Sequence, residues 1–437
     1  MIEPDSPRRR PRSPGGDRRR GRLAALCLGG LVGAAAFALP HLITGRPSDL
    51  AGDYWVFYSA ARVVAHGGDP YRQAVLDLAE RRVWPGVAPP PAAANFAYLP
   101  IVAWLLIPLA RLPFWPSYAV VTLADAVLTG LALAALARRL EWRHPVVPAL
   151  LGVCLWVSLA SLVLGQPDGL LVAALVAALL LRLSGRGIAA GLLLTLTWCK
   201  PQLLLPAAPL LALSCWPDRR LGLRVLAGFG LGTGAGLALQ LAAMPGLLAS
   251  WWGYLHRFAG AVPRLQGDLA GIAGLRADLP VRVTAAAAGW TAAATAIAGV
   301  AVVAAISVAL ARRRARGVGG SPGAVALAVL APLAVWLLAT PYDHVEDLLL
   351  LTPLVVVLLG PGAARLDRPS GWGPAMLLLT LPYVQALRDG VPDLAPLVVL
   401  VACLAGVGTA LRSPRRAPLP AGTIGVDVPS AARGPAP

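Results

Sequence analysis

The sequence predicts an all-α polytopic membrane protein with about twelve transmembrane helices and a large first loop outside the membrane. Three observations carry that expectation. Of 437 residues, 57% are hydrophobic and 14% are charged, and the mean hydropathy is +0.68, too apolar for a soluble globular chain of this size. The apolar residues gather into runs of roughly span length, separated by short connections. The arginines concentrate in the N-terminal tail and in alternate loops, as cytoplasmic loops do.

The elements follow in order. Residues 1–22 carry Arg8–Arg10 and Arg18–Arg20 among Pro, Gly and Ser, and read as a disordered basic tail facing the cytoplasm. The run 23–44 is about twenty residues, longer than the apolar core of a secretory leader, and so reads as a retained first span. A long polar loop, 45–95, comes next. The run 96–112 is short and interrupted by Pro100 and Pro108. Treating it as a re-entrant or surface-lying element keeps Arg138, Arg139, Arg143 and the Arg312–Arg316 cluster on the inner side. Spans are then expected near 117–137, 146–164, 169–183, 187–199, 202–214, 222–243, 284–310, 322–340, 347–360, 373–388 and 392–411, with both termini inside. Residues 244–283 form a second outer loop, whose Trp251, Trp252, Tyr254, His256 and Arg257 suit the interface. A second disordered tail, 412–437, closes the sequence.

The net charge of +17 does not indicate nucleic acid, because no basic face interleaved with aromatics accompanies it. Cys27, Cys154, Cys199, Cys215 and Cys403 are scattered, mostly inside apolar runs. Their spacing suggests neither a metal site nor a disulfide framework.

The most informative stretch is Asp53–Tyr71, DYWVFYSAARVVAHGGDPY, directly after the first span. Residues 53–65 suit a short amphipathic helix lying on the membrane, with Trp55, Tyr58, Ala61 and Val64 on one stripe and Tyr54 and Trp55 as interface anchors. Gly67 and Gly68 end that helix, and Pro70 prevents its resumption.

The expected topology places Asp53, His66, Asp69 and Tyr71 on the outer face. It adds three junctions there: Gly165-Gln166-Pro167-Asp168, Lys200-Pro201-Gln202, and Thr340 to Asp347 with Tyr342, Asp343 and His344. Ionisable groups at such depths cost a few kcal/mol each unless paired or solvated, so convergent ones mark functional cavities. Plainer readings stand beside this one. Asp69 and Asp168 adjoin turn residues and suit caps equally well. Asp125, within a span, reads as a satisfied polar group facing the bundle, and His344 as a residue that orients a neighbour. Lys200 is the single lysine of an arginine-rich chain, at a helix break. An ammonium on a flexible stem is a phosphate-binding point charge; its plain alternative is an anchor that snorkels to the interface.

These residues carry a resemblance. Asp53-x4-Tyr58 followed by Gly68-Asp69-Pro70-Tyr71 resembles the opening signature of glycosyltransferase family 87. Phe96-x-Tyr98-Leu99-Pro100, Gly165-Gln166 and Lys200-Pro201 resemble its later landmarks in the same order, over about 53–352. Asp168 stands where Asn often follows the Gly-Gln pair, and Tyr342-Asp343-His344 replaces a Ser-Pro…Trp…His-His pattern. The family comprises bacterial, notably actinobacterial, enzymes of the multi-span GT-C fold. Most use a polyprenyl-phosphate mannose donor, and some transfer arabinofuranose.

The resemblance implies a single GT-C domain over 23–411, with 45–115 as its extracytoplasmic and juxtamembrane catalytic loop. It implies transfer from a polyprenyl-phosphate sugar to a lipid-linked or cell-envelope glycan acceptor at the outer face of the plasma membrane. The residues suit that chemistry independently. One base must deprotonate the acceptor hydroxyl, a role for Asp53. The leaving group is already a phosphate, so a cation such as Lys200 suffices to stabilise it. Tyr58, His66, Asp69, Tyr71, Gln166, Asp168, Asp343 and His344 complete the expected substrate-binding set. A monophosphate donor offers no pyrophosphate for a metal to bridge, so no metal or other cofactor is expected. Besides membrane lipids, the partners are the donor and the acceptor. A transporter would instead need polar groups at mid-bilayer and an inverted repeat, and neither is evident.

Overall fold

The computed structural model describes residues 51–86, 96–216, 218–261, 309, 322–339 and 345–360. The expected first span, both tails, the outer loop beyond Ala261 and the spans at 373–388 and 392–411 lie outside the described residues, as does most of 284–310. Among the described residues every regular element is a helix.

Among the described residues two helices, Phe114–Arg139 and Arg219–Ala243, are long and apolar enough to cross a bilayer, and a third crossing follows if the bent pair Val146–Cys154 and Val157–Leu164 is one span. The order begins with α1 (Gly52–Ala65), α2 (Gln73–Val83), α3 (Pro100–Leu105), α4 (Ile107–Ala110) and α5 (Phe114–Arg139). It continues with α6 (Val146–Cys154), α7 (Trp156–Leu164), α8 (Asp168–Leu183), α9 (Gly187–Leu194) and a 3₁₀ turn over Thr195–Cys199. Then come α10 (Pro201–Leu204), α11 (Ala207–Leu213), α12 (Arg219–Ala243), α13 (Leu247–Ala261) and α14 (Pro322–Ala339). A second 3₁₀ segment, Val345–Leu351, leads into α15 (Thr352–Leu359).

At 1.5 Å per residue, α5 and α12 are each roughly 38 Å long, more than the ~30 Å hydrocarbon core. Their outward faces carry Leu123, 67% exposed, and Leu231, 64% exposed. Continuous apolar faces of that kind suit lipid and would be costly against water. The chain is therefore an all-α membrane protein.

Several expected spans form differently. The 146–164 run is a helix pair bent by 59°, broken where Leu155 takes an extended backbone at φ −65°, ψ 145°. The 187–199 run is α-helical only to Leu194 and then tightens. The 202–214 run splits into helices of 4 and 7 residues, because Pro206 lacks the N–H that would carry one turn into the next. The 96–112 run forms two helices of 6 and 4 residues, roughly 9 and 6 Å long and each too short to cross.

The first helix is the clearest departure. Instead of lying half exposed on a surface, α1 buries Tyr54, Trp55, Val56, Phe57, Tyr58, Ser59, Ala60, Ala61, Val63 and Val64. Apolar residues fill both faces, so both find protein partners. Tyr54 and Trp55 are not interface anchors. The Tyr54 hydroxyl pairs with Ser117 Oγ at 2.6 Å, and the Trp55 indole donates to the Glu80 carbonyl at 3.2 Å. Aromatic contacts continue outward, with Trp55 to Trp84 at 4.5 Å, Phe57 to Tyr98 at 4.6 Å and Trp84 to Phe114 at 4.9 Å. The helix ends at Ala65 as expected, followed by Gly67 at φ +74°.

Small residues set the closest helix contact. A Cβ on Gly191 of α9 would overlap the Val225 carbonyl of α12, and one on Gly228 would overlap the Ile188 carbonyl. The two backbones meet at reciprocal glycines, the usual device for close helix approach in a membrane.

Candidate active site

Four short breaks bring the site together: the start of α1, the turn before α8, the 3₁₀ turn before α10, and the 3₁₀ segment before α15. The start of α1 is held against the α7–α8 turn by the Ala51 amide, which donates to the Val163 carbonyl at 2.7 Å. Tyr118 braces the same turn, its hydroxyl donating to the Leu162 and Val163 carbonyls at 2.9 Å each. Gly165 ends α7 at φ +73°. A Cβ there would come within 2.5 Å of Tyr54 Cβ, so both its conformation and its neighbour require glycine.

This register sets Gln166 opposite Asp53. Gln166 Nε2 donates to Asp53 Oδ2 at 2.6 Å, and the Tyr98 hydroxyl donates to Gln166 Oε1 at 3.3 Å. Gln166 is buried, whereas Asp53 is partly exposed. One turn of chain further on, Asp168 begins α8, fully buried. Its Oδ2 accepts from Ser161 Oγ at 3.2 Å, and its Oδ1 lies 2.8 Å from Lys200 Nζ. The same ammonium donates to Asp347 Oδ1 at 2.6 Å.

The two halves form one electrostatic unit around Tyr98. Burial pushes the Tyr98 phenol well above its ordinary range; Lys200 pulls it down, and Asp53, Asp347 and Asp168 push it up. Gln166 and Asp168 stand two residues apart in one turn, so the Asp53–Gln166–Tyr98 links and the Asp168–Lys200–Asp347 group belong to a single cluster.

The sequence-derived candidates divide accordingly. Asp53, Gln166, Asp168 and Lys200 are brought together. Lys200 is only 2% exposed, so it does not snorkel, and two carboxylates already hold its ammonium. Asp168 is not the cap of α8: Pro167 holds that position, and the Asp168 carboxylate is engaged by Ser161 and Lys200. Asp69 is a turn residue: its Oδ1 accepts from the Tyr71 amide at 2.9 Å. Tyr58 and Tyr71 are buried ties, donating to the Leu112 carbonyl at 2.7 Å and the Tyr98 carbonyl at 2.6 Å. His66 is exposed and bonds back to the Arg62 carbonyl, at the opposite end of α1 from Asp53 and about 20 Å along its axis. Asp343 and His344 lie outside the described residues.

Two members were not singled out from sequence. In the sequence Asp343 and His344 draw more attention than Asp347; the usable signal is an acid standing at the first position of an apolar run, as Asp168 also does. Tyr98 was read as a landmark and not as part of the site. Asp125 is the bundle-facing polar group expected of it. It accepts from the Gly169 and Leu170 amides at 3.1 and 2.7 Å, so a carboxylate from α5 caps the start of α8.

A cluster with one partly exposed carboxylate beside a buried, charge-paired ammonium can accept a proton from a hydroxyl and stabilise a developing anion. The family model for glycosyltransferase family 87 matches residues 96–341, a span that includes Tyr98, Gln166, Asp168 and Lys200, while Asp53 and Asp347 flank it. Neither a curated protein nor a solved structure matches. With more than half of the chain inside the family match and the described part built as a helical membrane protein, the chain belongs to glycosyltransferase family 87 and is a membrane glycosyltransferase.

Proposed function

We propose that this enzyme transfers mannose from a polyprenyl-phosphate donor to a lipid-linked or cell-envelope glycan acceptor at the outer face of the plasma membrane. The observation that carries the reading is the carboxylate of Asp53, partly exposed yet fixed by Gln166 in the same cluster as Lys200. Asp53 takes the proton of the acceptor hydroxyl as its oxygen attacks the anomeric carbon in line. The bond from that carbon to the phosphate oxygen breaks, and its electron pair leaves on the phosphate. Attack opposite the leaving group inverts the anomeric centre.

Lys200, buried between two carboxylates, acts on the departing phosphate through its charge rather than by contact. Placed between Asp168 and Asp347, it also reduces their two formal negative charges to one, which lowers the repulsion a phosphate meets. The donor holds a single phosphate, so the step needs no metal to bridge a pyrophosphate. The outward orientation rests on the inner placement of Arg138, Arg139 and Arg143, with the two short helices of 96–112 not crossing.

The test is to incubate membranes containing the enzyme with radiolabelled polyprenyl-phosphate mannose and, separately, the corresponding arabinose donor. Labelled glycolipid is expected from the first and should persist in EDTA. Product from the arabinose donor alone would overturn the sugar assignment.

A further inference from the structure

We propose that Gln166 is a positioning residue for the transfer step, orienting Asp53 through its side-chain amide and making no contact with the sugar. The inference rests on the reading of Asp53 as the base.

Gln166 is 5% exposed, too enclosed to present its amide to a substrate, and both ends of that amide are used. A carboxylate only accepts hydrogen bonds, so the amide nitrogen must face Asp53 and the amide oxygen must face the Tyr98 hydroxyl. The two partners thus dictate which way the amide points. Tyr98 is itself fixed, because its carbonyl accepts from the Tyr71 hydroxyl at 2.6 Å and its ring meets Phe57 edge-on at 4.6 Å. The Gly165 turn and the Ala51–Val163 bond lock the two backbones that carry Gln166 and Asp53. The chain Tyr71–Tyr98–Gln166–Asp53 therefore ends on the proton-accepting carboxylate.

Its effect is twofold. The short bond to Oδ2 sets the plane of the carboxylate, and so the direction in which it meets the acceptor hydroxyl. Donation to the ionised form also favours the ionised form. Asp53 shares its surroundings with Lys200, Asp168 and Asp347, whose charges act together with its own on the neighbouring Tyr98 phenol; the two buried carboxylates oppose its ionised form and the ammonium favours it.

The test uses the full-length enzyme in detergent or nanodiscs with polyprenyl-phosphate mannose. Gln166→Met should lower kcat about 10- to 100-fold with donor and acceptor KM within about twofold. The acid limb of its kcat/KM profile should move to higher pH, because Asp53 loses a donor. Gln166→Glu, which places a second carboxylate beside Asp53, should move that limb further. Tyr98→Phe, which removes only the hydroxyl and keeps the ring packing, should produce a smaller loss in the same direction and serves if the Gln166 variants fold poorly. In an Asp53→Asn background, Gln166→Met should cost nothing further. A raised KM at unchanged kcat, or an additive loss in the double variant, would overturn the inference while leaving Asp53 as base. Near-normal turnover of Asp53→Asn alone would remove the base assignment itself, and this inference with it.

Discussion

Lys200 Nζ lies 2.6 Å from Asp347 Oδ1, across 147 positions of sequence. With Asp168 on its other side, the lysine stands between two buried carboxylates. Removing one partner from a buried charge group costs about 3–5 kcal/mol, and the cost is greatest when the charge left behind is uncompensated. Lys200→Met strands two negative charges, whereas Asp347→Asn leaves a one-to-one pair. The lysine variant is therefore expected to lose far more thermal stability than Asp347→Asn. Melting curves of purified variants check this, and equal losses would mean that Lys200 is not the hub. Per folded molecule, Lys200→Met should also raise the donor KM and lower kcat, with Lys200→Arg restoring part of each.

Asp53→Asn keeps the size and most hydrogen bonding of the base but removes its basicity. Turnover should fall by about 100-fold or more while donor binding persists. Single-turnover kinetics alongside a donor-binding measurement give both quantities.

Glu80 supplies a pH dependence. It is fully buried on α2, and among the described residues neither carboxyl oxygen has a hydrogen-bond partner. Burial, helped by Asp77, pushes its carboxyl from an ordinary 4.5 up to about 8. Raised affinity for the proton in the fold means that its stabilising contribution is complete below pH 4.5 and is lost as pH rises through about 8. Wild-type melting temperature should therefore decline across that window, and Glu80→Gln should decline less. Parallel curves for the two proteins would contradict the assignment.

Topology is testable directly. On a background lacking the five cysteines, single cysteines at exposed positions within 45–95, such as His66, should react with an impermeant thiol reagent applied from outside, and those at 138–144 and 311–321 should not. Labelling of 138–144 from outside would mean that 96–112 crosses the membrane.

The start of α8 should tolerate no added volume. A Cβ on Gly169 would overlap Thr129 Oγ1 and the Asp125 carboxylate that caps the helix. Gly169→Ala should lower both melting temperature and turnover, the latter through displacement of neighbouring Asp168. A fully active, stable variant would show that Asp125 can move aside.

The membrane class, the long helices and the convergence of Asp53, Gln166, Asp168 and Lys200 were legible in sequence because each rests on local composition or on the positive-inside pattern. The environment of α1 was not. A stripe through Trp55, Tyr58, Ala61 and Val64 suggests a surface helix, but Val56, Phe57, Ala60 and Val63 are apolar too, and the packing of α2, the 96–112 element, α5 and α7 against α1 buries both faces. Lys200 stood out by its identity, yet its partner Asp347 could not be chosen from an acid-rich stretch, since pairing over that separation is a tertiary fact. The broken spans near 200 are marked in the sequence by Pro201 and Pro206, which leave helices of only 4 and 7 residues there.

The spacing of the Lys200 partners also orders the protein's own assembly. Ribosomes add roughly 5–20 residues per second, so Asp347 is synthesised roughly 7 to 30 seconds after Lys200. During that interval the lysine must enter the membrane region with Asp168, made just before it, as its companion. Asp168 is thus the earlier-made partner of the ammonium, and Asp347 can complete the pairing only after its own segment has been synthesised.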